Sequence, residues 1–116
     1  MTSPDITRHG RKRMRQRLGI PKGALSRTAE AALIQGVGHE DSTGKLRSYI
    51  EFLYASHNGA AGNIRVYNGY VYVFNGKILI TILRVPRELA ATAQAQQKRK
   101  REKERAKERD AGLSAQ

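Results

Sequence analysis

Three Asn-Gly pairs, Asn58-Gly59, Asn68-Gly69 and Asn75-Gly76, punctuate the middle of this chain, and the runs beside them are "NIRVY", "YVYVF" and "KILITIL". Asn-Gly supplies the two positive-φ residues that a type I′ hairpin turn demands, and runs rich in β-branched and aromatic residues suit a pleated surface. The spacing predicts an antiparallel meander, and any fold for the rest of the chain has to be built on it. Of the 24 Val, Ile, Leu and Phe residues, 14 lie between Leu46 and Leu83, so most of the apolar area available for burial belongs to that third. At 116 residues the chain has room for one modest core.

Alternation within the central run puts Tyr70, Tyr72 and Phe74 on one face and Val71 and Val73 on the other. The valine face is expected to pack under the two N-terminal helices. The aromatic face is read as a second set of packed rings, or else as a platform on which RNA bases stack. The segment "KLRSYIEFLYAS" (residues 45–56) fits a helix through Leu46, Tyr49, Ile50 and Leu53, and a strand through Leu46, Ile50, Phe52 and Tyr54. Its aromatic content and the following "HNGAAGN" favour a fourth strand.

Ahead of the meander, Asp5–Thr7 fits a short strand and Arg8–Leu18 a helix with a narrow apolar stripe of Gly10, Met14 and Leu18. Gly19, Ile20 and Pro21 break it. A second helix opens at Pro21 or Lys22, carries Leu25, Ala29, Ala32 and Leu33 at helical spacing, and stops at Gly36. The expectation is an α+β domain over residues 1–86, with two N-terminal helices on a three- to four-stranded antiparallel sheet. Residues 87–116 read as an Ala/Gln linker and then a charged helical or disordered tail with no apolar face to pack.

Charge narrows the function. The formal net charge is +12, from 22 Lys and Arg against 10 Asp and Glu, which favours polyanionic partners through long-range attraction and counterion release. RNA or another nucleic acid is the expected partner, with an acidic protein as the other class. No basic run has the apolar face of a membrane-surface helix, and no run approaches a membrane span, so a cytoplasmic protein is expected. Cysteine is absent, which excludes disulfides and thiolate-metal sites, and the three histidines show no paired spacing, so neither metal nor cofactor is expected.

The densest charge is "RHGRKRMRQR", six cations and no acid between Arg8 and Arg17. On a helix His9, Arg13 and Arg17 fall at about 0°, 40° and 80°, one stripe with an acid–base group at its head and two guanidiniums below it. Cleavage of RNA through the ribose 2′-hydroxyl needs a proton acceptor, cations for the charge that develops on phosphorus, and an acid for the departing oxygen. His9 suits the proton transfer, and Arg13 and Arg17 suit the charge. The plainer reading of the same stripe is an exposed face that grips phosphates. Arg8, Arg11, Lys12 and Arg15 on the neighbouring faces, with Arg84 at the end of the last strand, complete the expected nucleic-acid contacts. His39 and His57 fall in expected loops, His57 being the better placed to reach a ligand, and Tyr67, Tyr70 and Tyr72 are read as structural before they are read as RNA contacts.

"HGRKRMRQRLGI" resembles the His-x-x-x-Arg-Met-x-x-Arg signature, followed by Gly-Ile, of small bacterial and phage proteins related to the RelE/ParE-like toxins. The signature falls on His9, Arg13, Met14, Arg17, Gly19 and Ile20, with Leu18 as an extra residue, and Thr81 and Arg84 match a threonine and a basic residue on the last strand. The resemblance implies the barnase–EndoU–colicin–RelE fold, two helices on a four-stranded antiparallel sheet. It also implies a metal-independent endoribonuclease neutralised by an acidic antitoxin-like protein. A non-catalytic nucleic-acid-binding regulator from a phage or mobile element is the alternative.

Overall fold

The computed structural model describes residues 4–57 and 61–114. Its elements are β1 (Asp5–Ile6), α1 (Arg8–Leu18), α2 (Leu25–Gln35, entered through a 3-10 turn at Lys22–Ala24), α3 (Gly44–Ser56), β2 (Asn63–Tyr67), β3 (Tyr70–Asn75), β4 (Ile78–Arg84) and α4 (Ala90–Ser114, entered through a 3-10 turn at Arg87–Leu89). The fold is α+β, with one four-stranded sheet in the order β1-β4-β3-β2. None of the described helices is long and apolar enough to cross a membrane.

The meander forms as expected, but its two described hairpins turn differently. At the first, Asn68 (φ 47°) and Gly69 (φ 85°) supply both positive dihedrals of a type I′ turn. At the second, Asn75 stays in β3 and pairs with Ile78, so the loop is Gly76-Lys77 with Gly76 alone at positive φ (60°). That pattern belongs to a turn with glycine in the first central position, not to the type I′ turn read from Asn75-Gly76. The pair Asn58-Gly59 lies outside the described residues. Opposite Val73 and Phe74 the ladder skips Ile80, a bulge that bends β4.

Two further expectations about the sheet are corrected. The fourth strand is β1, which pairs in parallel with Ile78 and Leu79 of β4 and makes the sheet mixed rather than antiparallel. Residues 45–56 form helix α3, because that conformation puts Leu46, Ile50 and Leu53 together in the core, at the cost of leaving Phe52 64% exposed. A strand would have buried Phe52 and left Leu53 facing water.

The sheet is covered on both sides. Val71 and Val73, with Ile64 and Val66 of β2, pack against Leu46, Ile50 and Leu53 of α3 and Leu89 and Ala93 at the start of α4. Tyr72 and Phe74, with Leu79 and Ile82 of β4, pack against Met14 of α1 and Leu25, Ala29 and Ala32 of α2. The N-terminal helices therefore sit on the aromatic face, not the valine face. Tyr72 is 1% exposed and its ring meets Tyr67 edge-on at 6.3 Å, so the aromatic residues are core and no base can stack on Tyr72.

The C-terminal segment also departs from expectation. The Ala/Gln stretch is the packed beginning of α4, tied to the body by three side chains. The Gln96 amide bonds both the N–H and the carbonyl of Thr43, at 2.9 and 3.2 Å, and Gln97 does the same for the N–H and side chain of Asn68, at 2.9 and 2.8 Å. Lys100 donates to the carbonyl of Gly36 at 2.7 Å, placing a cation at the C-terminal end of α2. Beyond Lys100, residues 101–110 are helical and wholly exposed. The charged half of the segment is thus free, as its composition implies, and the first half is not.

Candidate nucleic-acid interface

Helix α1 is fixed at both ends by groups outside itself. Thr7 caps its start, accepting from the Gly10 N–H at 3.0 Å, while the Thr7 N–H donates to the Leu79 carbonyl of β4 at 3.0 Å. Gly10 lets the helix lie against the strand: a Cβ there would stand 2.8 Å from the Leu79 carbonyl oxygen. At the far end Gly19, at φ 64°, closes the helix by donating to the Arg15 carbonyl, and the Tyr70 hydroxyl donates to the carbonyl of Arg17 at 3.0 Å. With Gly10 and Met14 buried and Leu18 half-buried, the remaining faces turn outward.

Those faces carry the predicted residues. Arg8, His9, Arg11, Lys12, Arg15 and Arg17 are exposed and Arg13 is half-buried. The stripe is real: Arg13 Nε donates to His9 Nε2 at 3.4 Å, one turn apart, with Arg17 a further turn on. Arg11 leans the other way and donates to the Ile6 carbonyl at 3.4 Å, and Arg11, Lys12, Arg15 and Gln16 line a shallow groove of about 480 Å³. Arg84 is exposed at the end of β4, opposite Tyr70 in the ladder. The Tyr70–Arg17 bond therefore brings Arg84 to the end of the sheet at which α1 finishes, whereas His9 stands at the other end, above Leu79.

This helix is charged against its own stability. Arg8 and Arg11 sit in the first turns, where the dipole favours anions, and no acid occupies the helix to offset them. Arg8–Lys12, Arg11–Arg15 and Arg13–Arg17 are like-charged pairs at i, i+4, each costing roughly 0.2–0.5 kcal/mol. The packing of Met14 and the Thr7 and Gly19 caps hold the helix despite this.

The other two histidines have structural work. His57 closes α3, its Nδ1 lying 2.8 Å from the Leu53 carbonyl. His39 Nε2 lies 3.0 Å from Glu51 and accepts from Arg47 at 3.3 Å. Beside it is a polar groove of about 730 Å³, lined by Gly38, Asp41, Tyr54, Arg65 and Lys100 among others. Burial pushes the Asp41 carboxyl upward, but the Gly38 N–H and the Lys100 ammonium at 3.1 Å, with Arg65 behind, outweigh that and hold it below the usual carboxylate range. Lys100 and Arg65 answer Asp41 in this groove, and the contacts of Lys100 anchor α4 there. Spacing could not reveal it, since Asp41 and Lys100 are far apart in the chain and Lys100 looks like any other residue of a charge run.

Burial, with Tyr67 and Tyr70 nearby, raises the Tyr72 phenol well above its ordinary range, so it stays neutral and contributes no proton acceptor. No group of three or more histidine or carboxylate ligands is assembled among the described residues. Comparison with models of protein families, with curated protein sequences and with solved structures finds no match to this chain.

Proposed function

We propose that this chain is an RNA-binding protein, RelE-like in the sense of its α1 signature, which lays α1 along the phosphate backbone. The observation that carries the reading is a helix with six cations and no acid, capped and packed so that the cations face outward although they repel one another. A polyanion relieves that repulsion, and each phosphate neutralised releases counterions. An acidic protein would relieve it too, and competes with RNA for the same face in this proposal.

The contact between His9 and Arg13 favours a second, catalytic reading as a metal-independent endoribonuclease. With Arg13 donating to Nε2, the lone pair of that nitrogen is occupied. When Arg13 turns to a bound phosphate, that lone pair is released one helical turn away. Nε2 then takes the proton of a ribose 2′-hydroxyl, the 2′-oxygen bonds to phosphorus, and the bond from phosphorus to the 5′-oxygen breaks, that oxygen taking a proton from water. Arg13 and Arg17 stabilise the charge on the phosphoryl oxygens. A non-catalytic regulator uses the same face without the proton transfer.

The two readings separate on labelled RNA in EDTA. Catalysis predicts products ending in 2′,3′-cyclic phosphate, a loss of about 10²–10⁴-fold in single-turnover rate for His9→Ala with RNA affinity nearly unchanged, and a loss in both for Arg13→Ala. An uncleaved RNA that still binds leaves the binding reading alone, and full activity in His9→Ala removes the catalytic assignment.

A further inference from the structure

The cations of α1 account for 6 of the 22 in the chain, and 8 more lie between Lys98 and Arg109. These two segments are remote in sequence, and in the fold α2 lies between them, in contact with both α1 and α4. Helix α4 starts on the valine face, where Leu89 and Ala93 are buried, and passes the edge strand β2 at Gln96, Gln97 and Lys100. It continues beside the end of α2, which belongs to the layer that also carries α1. There Arg101 and Arg105, together with Glu104 and Glu108, line an open groove of about 520 Å³ against Ile34 and Gln35. Arg101, Arg105 and Arg109 repeat the spacing of four seen in His9, Arg13 and Arg17, and with Lys98 they occupy one 80° sector of the helix, bordered by Glu102 and Glu108.

A path of contacts joins the two. The Tyr70 hydroxyl holds the end of α1 at Arg17, and Tyr70 is paired in the ladder with exposed Arg84. The next residue, Val85, donates to the Gly69 carbonyl at 3.0 Å, and the other half of that turn, Asn68, is held twice by Gln97, next to Lys98. Cations thus stand at successive points from α1, over Arg84 at the end of the sheet, to the free half of α4.

We propose that the free half of α4 is the second arm of the RNA interface, and that α1 and this arm take one single-stranded RNA that crosses the Asn68-Gly69 end of the sheet. The inference rests on the RNA reading above. Strand length is what distinguishes two arms from one. Four nucleotides, about 14 Å at the ~3.4 Å rise of a stacked strand, match α1 alone, whose 11 residues measure about 16 Å. Sixteen nucleotides reach about 54 Å, beyond the 47 Å long axis of the molecule.

The test measures binding of unstructured RNAs of about 4 and 16 nucleotides to the full chain and two variants. One is Arg101→Gln/Arg105→Gln/Arg109→Gln. The other, of equal net charge, is Lys45→Gln/Arg47→Gln/Lys77→Gln, all of it outside α1 and α4. All these positions are exposed, and circular dichroism checks that helix content is kept. The arm variant should lose about tenfold or more on the long RNA at 0.1 M salt, with a salt slope shallower by up to about 2, and change less than about twofold on the short one. The control should match the parent on both. Equal losses on both lengths, or equal losses in both variants, overturn the second arm while leaving α1 as the binding face. A parent that binds neither RNA removes the RNA reading itself.

Discussion

Gly10 shows how a single residue positions the interface. Glycine inside a helix costs about 1 kcal/mol relative to alanine, so a helix under no other constraint gains from Gly10→Ala. Here the added methyl would meet the Leu79 carbonyl oxygen at 2.8 Å, Ile6 at 3.1 Å and Thr7 at 3.2 Å, and backbone cannot swing aside as a long side chain can. The expected result is a net loss of about 1–2 kcal/mol, since displacing packed elements costs more than the propensity gain. Gly23, with nothing within 4 Å of its would-be Cβ, is the control, and Gly23→Ala should be neutral or slightly stabilising. Thermal melting of the two variants decides it, and a Gly10→Ala protein that melts above the parent would show that α1 does not depend on this close approach. The sequence places Gly10 on the apolar stripe with Met14 and Leu18, but period alone gives no hint that the position is glycine because a strand carbonyl lies beneath it.

Among the elements, α4 draws the sharpest line between structure and charge. Truncation after Lys100 removes residues 101–116, whose described side chains are all exposed, and should leave the melting temperature within a few degrees of the parent. Truncation after Ala93 removes Gln96, Gln97 and Lys100 and the five hydrogen bonds they make to Thr43, Asn68 and Gly36. At roughly 0.5–1.5 kcal/mol for a neutral bond and more for a charged one, the loss is on the order of 3 kcal/mol, a fall of about 12–24 °C for a domain of this size. Equal melting of the two truncations would mean that the clips add nothing. This boundary was not legible in composition, because Gln96 and Gln97 act through backbone groups of loops far away in the chain. Helix α1 was legible from end to end, as were the three meander strands, because their signals are local: caps, breakers and alternation. Segment 45–56 was misread because both periods fit it, and only the depth of the valine face, which needs Leu46, Ile50 and Leu53 at once, selects the helix.

At the scale of the whole molecule, the folded chain separates what holds it together from what repels. Its two cores are apolar, its acid Asp41 is matched by Lys100 and Arg65, and half of the +12 charge is left on α1, with five cations against four acids on α4 beyond Lys100. Such a charge is a liability for a compact chain in isolation and an asset for capturing a polyanion, and salt tells the two apart. If about six phosphates of a single strand are neutralised, a slope near −0.7 for each gives a total near −4, and raising salt from 50 to 200 mM should weaken RNA binding about 300-fold. Folding should respond in the opposite sense, since screening relieves the repulsion between the arginines of α1, and the melting temperature of the free protein should hold or rise over the same range. The pairing of these two results is diagnostic. Binding that is flat in salt would remove nucleic acid as the partner, because every phosphate neutralised by the cations of α1 releases counterions and so must register in the salt slope. Polyglutamate titrated alongside RNA addresses the competing partner class: tighter binding to it at every salt concentration would identify α1 as a docking face for an acidic protein instead.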